Sequence, residues 1–298
     1  MSRLPLDSIY RLADLLGKAY FSLAPGSRKK ISRNIRFAFQ KEKGPEEIEG
    51  LTREAMANFF KNYLELFFFA GPHRDKLLRR VTIEGREHLD RALSRGKGVI
   101  VVSAHLNNFA LIVLKLASEG YTIAMAIRDF KNPAESRIYR GCRKLIRLQS
   151  IRIKPSFHFL RDVLRLFKRN GMICLIADEN KRHGGVFVDF FGRPAATAAG
   201  PARLALKTGT PVVPVLMVRD SDNNQRVVVE PPLDFEPSGN KGRDAGIITS
   251  GFTRTIESYV RQYPGQWRWD HFRWKTQPEE GKEDNQPTQL NLFNDTMM

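Results

Sequence analysis

The sequence predicts an α/β fold: a mixed, largely parallel sheet flanked by helices, with a helical N-terminal region. Three observations predict it. From residue 81 onward, short Val- and Ile-rich runs alternate with helix-period segments, the pattern of strands joined by crossover helices. Residues 1 to 80 read as mostly helical. At 298 residues and 42% hydrophobic, the chain is long and apolar enough for a sizeable core.

The elements follow in order. In "LDSIYRLADLLGKAYFSLA", 6 to 24, Ile9, Leu12, Ala13, Leu16, Ala19, Tyr20 and Leu23 fall near one helical face. Arg11, Asp14 and Lys18 lie mostly on the other. This pattern fits a helix in a membrane interface and a helix packed on a core equally well. "APGS" (24 to 27) and "KGPEE" (43 to 47) interrupt the helices, and "ANFFKNYLELFFFAG" (57 to 71) is a strongly apolar helix ended by Gly71 and Pro72. "VTIEG" reads as a strand and "REHLDRALSRGKG" as a helix closed by glycine. "VIVVSA" (99 to 104) is a strand, followed by a helix after His105. "YTIAMAI" is a strand. "NPAESRIYRGCRKLIRL" is a helix whose opening offers Asn132 as cap, Pro133 in the first turn and Glu135 for a capping box. "FHFLRDVLRLFKRNG" is a helix and "MICLIA" a strand. "VFVDFF", "TPVVPVLMV" and "QRVVVEP" add strands with fewer helices between them. There is no internal repeat, no secretory signal and no apolar run of the roughly 18 residues that a spanning helix wants.

Charge narrows the partners. The net charge is +17, yet the last twenty residues set five carboxylates against Lys282, so the preceding body carries +21. Such a surface seeks anionic lipid headgroups, nucleic acid or an acidic carrier protein. The absence of any nucleic-acid-binding motif argues against nucleic acid. Cys142 and Cys174 stand alone, which argues for a reducing compartment and against a metal site.

Ligands of open parallel sheets bind outside the carboxyl ends of the strands. Three polar residues occupy that rim: His105 after "VIVVSA", Arg128 after "YTIAMAI" and Asp178 after "MICLIA". A base, a cation and a carboxylate on one rim form a candidate site. Asn107 or Asn108 is expected to cap the helix after His105, whose N-terminus would then lower the proton affinity of the imidazole. Free backbone N–H groups there could receive an oxyanion. Further on, Ala195, Ala196, Thr197, Ala198, Ala199 and Gly200 leave room for a ligand beside the helix opened by Gly200 and Pro201. "WRWDHFRWKT" (267 to 276) holds all three tryptophans, at least two of which are expected to lock the last helix onto the core.

The segments "NIRFAF" (34 to 39), "GVIVVSAHLNNFA", "IRDFKNP" (127 to 133), "IADEN" (176 to 180), "FVDFFGRPAATAAGPARLA" and "WRWDHFRWKT" together resemble the late acyltransferases of lipid A biosynthesis, within the wider lysophospholipid acyltransferase family. The resemblance covers about residues 28 to 278. It implies a glycerolipid-acyltransferase-like α/β fold. It also implies a peripheral or monotopic position on the cytoplasmic face of the bacterial inner membrane. The implied reaction moves a fatty acyl group from an acyl carrier protein or acyl-CoA thioester to a hydroxyl of a lipid acceptor, with no metal or nucleotide cofactor. The implied partners are anionic membrane lipid and acyl carrier protein. His105 becomes the catalytic base; Asn107, Asn108, Arg128, Asp178, Arg193 and Thr197 become substrate-binding candidates. Three regions are expected: a helical, membrane-associating part over 1–80, the acyltransferase domain over 81–278, and an acidic, disordered tail over 279–298.

One residue departs from the family pattern. The signature is a histidine, four residues, then Glu or Asp; here His105 is followed at that spacing by Ala110. A water, Asp178 or a bound phosphate could orient the imidazole instead. On this reading a glutamate placed at 110 is expected to raise transfer, and a non-catalytic lipid-binding descendant is the alternative function.

Overall fold

The computed structural model describes residues 5–39, 42–71, 74–128, 133–153 and 156–278, without the side chains of residues 133–135, 138, 139 and 142. The expected cap at Asn132, the side chains of Glu135 and Cys142, and the tail over 279–298 lie outside the described residues. The N-terminal region is helical: α1 (Leu6–Leu23), α2 (Pro25–Phe39), α3 (Pro45–Phe69) and α4 (Arg74–Arg79). Alternation then begins, with β1 (Val81–Glu84), α5 (Arg86–Leu93), β2 (Val99–Ser103), α6 (Ala110–Ser118), β3 (Ile123–Ile127), α7 (Pro133–Leu145), β4 (Ser150–Arg152), α8 (Ser156–Lys168) and β5 (Met172–Ile176). The hairpin β6 (Val186–Asp189) and β7 (Pro194–Thr197) precedes α9 (Gly200–Thr208), β8 (Val212–Arg219), β9 (Gln225–Val229) and α10 (Lys241–Gln262).

The main sheet has seven strands in the order β1-β9-β8-β2-β5-β3-β4. Every neighbouring pair is parallel except β8 with β9. β2 is central and buried on both faces, which is why it reads as an unbroken apolar run. Its alternate residues feed two cores. Ile100 and Val102 pack with α2, α9 and α10, whereas Val99 and Val101 pack with α4, α5 and α6.

The segment 6 to 24 packs on α3, burying Ile9, Tyr10 and Ala13. The two helices cross at Gly17, where a Cβ would come within 2.6 Å of the Ala57 Cα, so only glycine allows this approach. Leu15, Leu23, Phe59, Tyr63 and Phe67 remain exposed on the outer face of the pair. No helix among the described residues is long and apolar enough to cross a membrane.

Three elements differ from expectation. β4 is a short edge strand with the sequence Ser-Ile-Arg, too brief to display alternation. α10 is rich in Gly and Thr, whose helix propensity is weak. It is held by a buried stripe, Ala245, Ile248, Phe252, Ile256 and Val260, and by Asn240, which accepts from the N–H groups of Gly242 and Arg243. The small residues Ala195, Ala196 and Thr197 form β7, paired with β6.

Candidate active site

β2 and β5 lie side by side in parallel register, with Ser103 opposite Ile176. The residues that follow each strand therefore emerge together at one rim. His105 Nδ1 lies 2.8 Å from Asp178 Oδ1, and the backbone N–H of His105 donates to Asp178 Oδ2 at 2.8 Å. The Trp267 indole N–H donates to the same Oδ2 at 2.7 Å. The His105 carbonyl accepts from Arg268 N–H, and Asn107 N–H donates to the Gln266 carbonyl. The loop after β2 is thus stitched to both β5 and the tryptophan segment. Position 110 supplies no carboxylate, but one does meet His105: that of Asp178, the second residue past the adjacent strand.

The electrostatics follow from this geometry. Burial alone would raise the Asp178 carboxyl, but the His105 charge and the hydrogen bonds from His105 and Trp267 hold it down at about 2. Asp178 is therefore an acceptor only, so Nδ1 carries a proton and a neutral imidazole presents its lone pair at Nε2. Burial of the imidazole opposes its charging, yet the charge of Asp178 and the hydrogen bond to it prevail and raise the His105 pKa above its ordinary value. This reverses the sequence-based expectation of a lowered proton affinity. α6 begins only at Ala110, and the nearby carboxylate outweighs any helix dipole. The pair and Trp267 line a small pocket with Glu179, Asn180, Arg268, His271 and Arg273, and Nε2 lies 3.8 Å from Glu179 Oε1. Among the described residues no cluster of three or more His, Cys, Asp or Glu is placed to hold a metal ion.

Asn107 and Asn108 do not cap α6 with their side chains. Both are buried, and their amides serve an ion-pair network between Arg219 and Glu65. Arg219 donates to Asn107 Oδ1 at 2.7 Å, and Asn108 donates to Glu65 Oε2 at 2.9 Å. Gln225 and Tyr10 also donate to Glu65. A buried pair is strongly destabilised when one partner is lost, by about 3–5 kcal/mol. The network therefore makes the turn after His105 a rigid part of the α1–α3–β8 junction. Asn107 adopts φ 48°, a left-handed conformation that asparagine tolerates better than most residues.

The remaining candidates separate. Arg128 is exposed one strand beyond β5, at the end of β3, on the same rim. Arg193 stacks over the Phe37 ring at 4.3 Å. Thr197 is fully buried, donates to the Ala195 carbonyl and accepts from Arg273. The room beside the small residues is thus filled by the chain's own arginine. The tryptophans divide as well. Trp269 donates to the Pro264 carbonyl and Trp274 to the Phe190 carbonyl, both within the core, while Trp267 belongs to the site. Glu179, Arg268, His271 and Arg273 were not among the expected site residues. The signal available for Arg268, His271 and Arg273 was the polar residues spaced between the tryptophans, and for Glu179 its place next to Asp178.

The bacterial lipid A biosynthesis acyltransferase family model matches residues 1–276. The phosphatidylinositol mannoside acyltransferase of Mycolicibacterium smegmatis is 25% identical over 86% of this chain and 82% of its own length. The lipid A biosynthesis lauroyltransferase of Escherichia coli is 23% identical over 93% and 88%. The palmitoleoyltransferase of the same organism is 24% identical over 66% and 62%. With a family match along nearly the whole chain, and a histidine–carboxylate pair on the rim where the strands end, this protein belongs to the bacterial lipid A biosynthesis acyltransferases.

Proposed function

We propose that the protein moves a fatty acyl chain from a thioester, on acyl carrier protein or coenzyme A, to a hydroxyl of a membrane glycolipid such as a lipid A precursor. The observation that carries this reading is the contact between His105 and Asp178. Asp178 fixes the tautomer and the aim of the imidazole. Nε2 takes the proton of the acceptor hydroxyl as its oxygen attacks the thioester carbonyl, then returns a proton to the leaving thiolate. Arg128, exposed on the rim, holds a phosphate of the acceptor or of the donor's phosphopantetheine. The outer face of α1 and α3 rests on anionic lipid at the cytoplasmic face of the inner membrane. Its apolar side chains enter the interface, and the basic body supplies attraction.

The test is an acylation assay on purified protein with thioester donors and extracted bacterial lipids, read by mass spectrometry. Wild type is expected to yield a lipid heavier by one acyl chain, and His105→Ala to yield background. Thioester and lipid both unchanged by wild type, whatever the donor, would favour the non-catalytic lipid-binding alternative.

A further inference from the structure

We propose that Arg273 is a catalytic residue whose guanidinium receives the oxyanion of the tetrahedral intermediate, a role that rests on the acyl-transfer reading above. Arg273 lines the same pocket as His105 and Asp178. It is only 2% exposed. Nη1 donates to the Ala196 carbonyl at 2.7 Å, Nη2 donates to Thr197 Oγ, and the guanidinium lies 5.5 Å from the centre of the Phe190 ring. These contacts fix the plane of the group. Among the described residues the buried Nε–H finds no acceptor, which is true of Arg219 as well.

What sets Arg273 apart is that, among the described residues, no carboxylate pairs with it. Arg219, the other buried arginine among the described residues, has Glu65 within ion-pair distance. Arg273 has no such partner, and Asp178 and Glu179 lie only near enough to favour its charge. Burial pushes its pKa down to about 10, so it remains a cation at neutral pH. A buried cation with an unused donor is costly to maintain. That cost has a purpose if negative charge arrives in this pocket during the reaction.

The charge accounting agrees. In the form of the site that acts as a base His105 is neutral, and the field of Arg273 offsets the Asp178 carboxylate. On attack, a bond forms between the acceptor oxygen and the thioester carbonyl carbon. The hydroxyl proton passes to His105 Nε2, and the carbonyl π pair moves onto its oxygen. The imidazolium now serves as counter-ion to Asp178, and the guanidinium is left to stabilise the oxyanion. On collapse the C–S bond breaks, its electron pair leaves with sulfur, and the thiolate takes the proton from His105. No other reactant is consumed. The same reading gives the small residues Ala195, Ala196 and Thr197 a reason: they make room for a guanidinium and hold it.

The test compares Arg273→Met and Arg273→Lys with wild type and His105→Ala in the acylation assay, with melting curves and separate kcat and KM. Loss of an oxyanion donor is expected to lower kcat by about 10²–10³-fold with KM nearly unchanged. Lysine keeps the charge but not the fork, so at least about tenfold loss is expected there. Wild-type kcat in a natively melting variant overturns the role, and Arg273→Lys decides the matter if Arg273→Met does not fold. An inactive wild type would overturn the acyl-transfer reading and this role together. An active wild type with unimpaired Arg273 variants overturns only this role.

Discussion

His105 and Asp178 stand 73 residues apart in the chain and 2.8 Å apart in space. Both were legible as rim residues, because each follows an apolar strand. Their contact could be raised from the sequence only as one alternative among three, because it depends on β5 lying beside β2 rather than on any local spacing. The sequence offered Asp178 both as a substrate-binding candidate and as one of three groups that could orient the imidazole; the structure places its carboxylate against His105, with both oxygens occupied. Arg273 was illegible for a similar reason. Its neighbours Trp269 and Trp274 are core residues, so the segment reads as packing until the fold shows which of its side chains line the pocket beside His105. The contact also changes what Ala110 implies. With Asp178 already on Nδ1, a second carboxylate has no vacant role. Ala110 is buried at the first position of α6, where a glutamate must either be desolvated or push the helix aside. Ala110→Glu is therefore expected to leave kcat unchanged or lower it, contrary to the expectation from the family pattern. A rise of tenfold or more in the acylation assay would show that the imidazole still lacks its aimer.

At the scale of elements, the strands and most helices were readable because their apolar periods are clean. β4 was hidden by its brevity, and α10 by its weak local propensity. The α1 segment offered two readings; the structure packs one of its faces on α3, as the core reading expects, and leaves Leu15 and Leu23 exposed, as are Phe59, Tyr63 and Phe67 of α3. Because α1 contributes Ile9, Tyr10 and Ala13 to the core, deleting it would test folding rather than membrane attachment. Exposed residues give the cleaner test. Full burial of an aromatic or aliphatic side chain contributes about 1.5–3 kcal/mol, and 1.4 kcal/mol is tenfold in an equilibrium. Phe59→Ser combined with Phe67→Ser is expected to weaken sedimentation with anionic vesicles by at least about tenfold without lowering the melting temperature. Added salt should weaken binding further, since exposed charges are screened within roughly 8 Å at physiological ionic strength. Unchanged sedimentation of the double variant at high salt would remove this face from the account.

Over the whole molecule, two cores on opposite faces of one sheet hold a single rim, and the N-terminal helices are part of that support. Glu65 on α3 anchors the turn after His105, Asn34 on α2 holds the tryptophan segment by the Trp269 carbonyl, and Asn58 on α3 holds the turn before it by the Gly265 carbonyl. The order of the strands, which the sequence cannot show, determines that the base and its carboxylate share the rim. The central claim is that Asp178 replaces the absent carboxylate at 110, and the pH dependence of kcat/KM in wild type and Asp178→Asn tests it most directly. A base must be neutral to act, so wild-type activity should rise with pH through a His105 pKa lying above 6.5. Removing the charge of Asp178 leaves burial to dominate, which disfavours the imidazolium, so the acid limb should move to lower pH. Loss of tautomer and aim should lower kcat by about 10²–10⁴-fold. An Asp178→Asn protein with wild-type turnover and an unmoved acid limb would contradict the account.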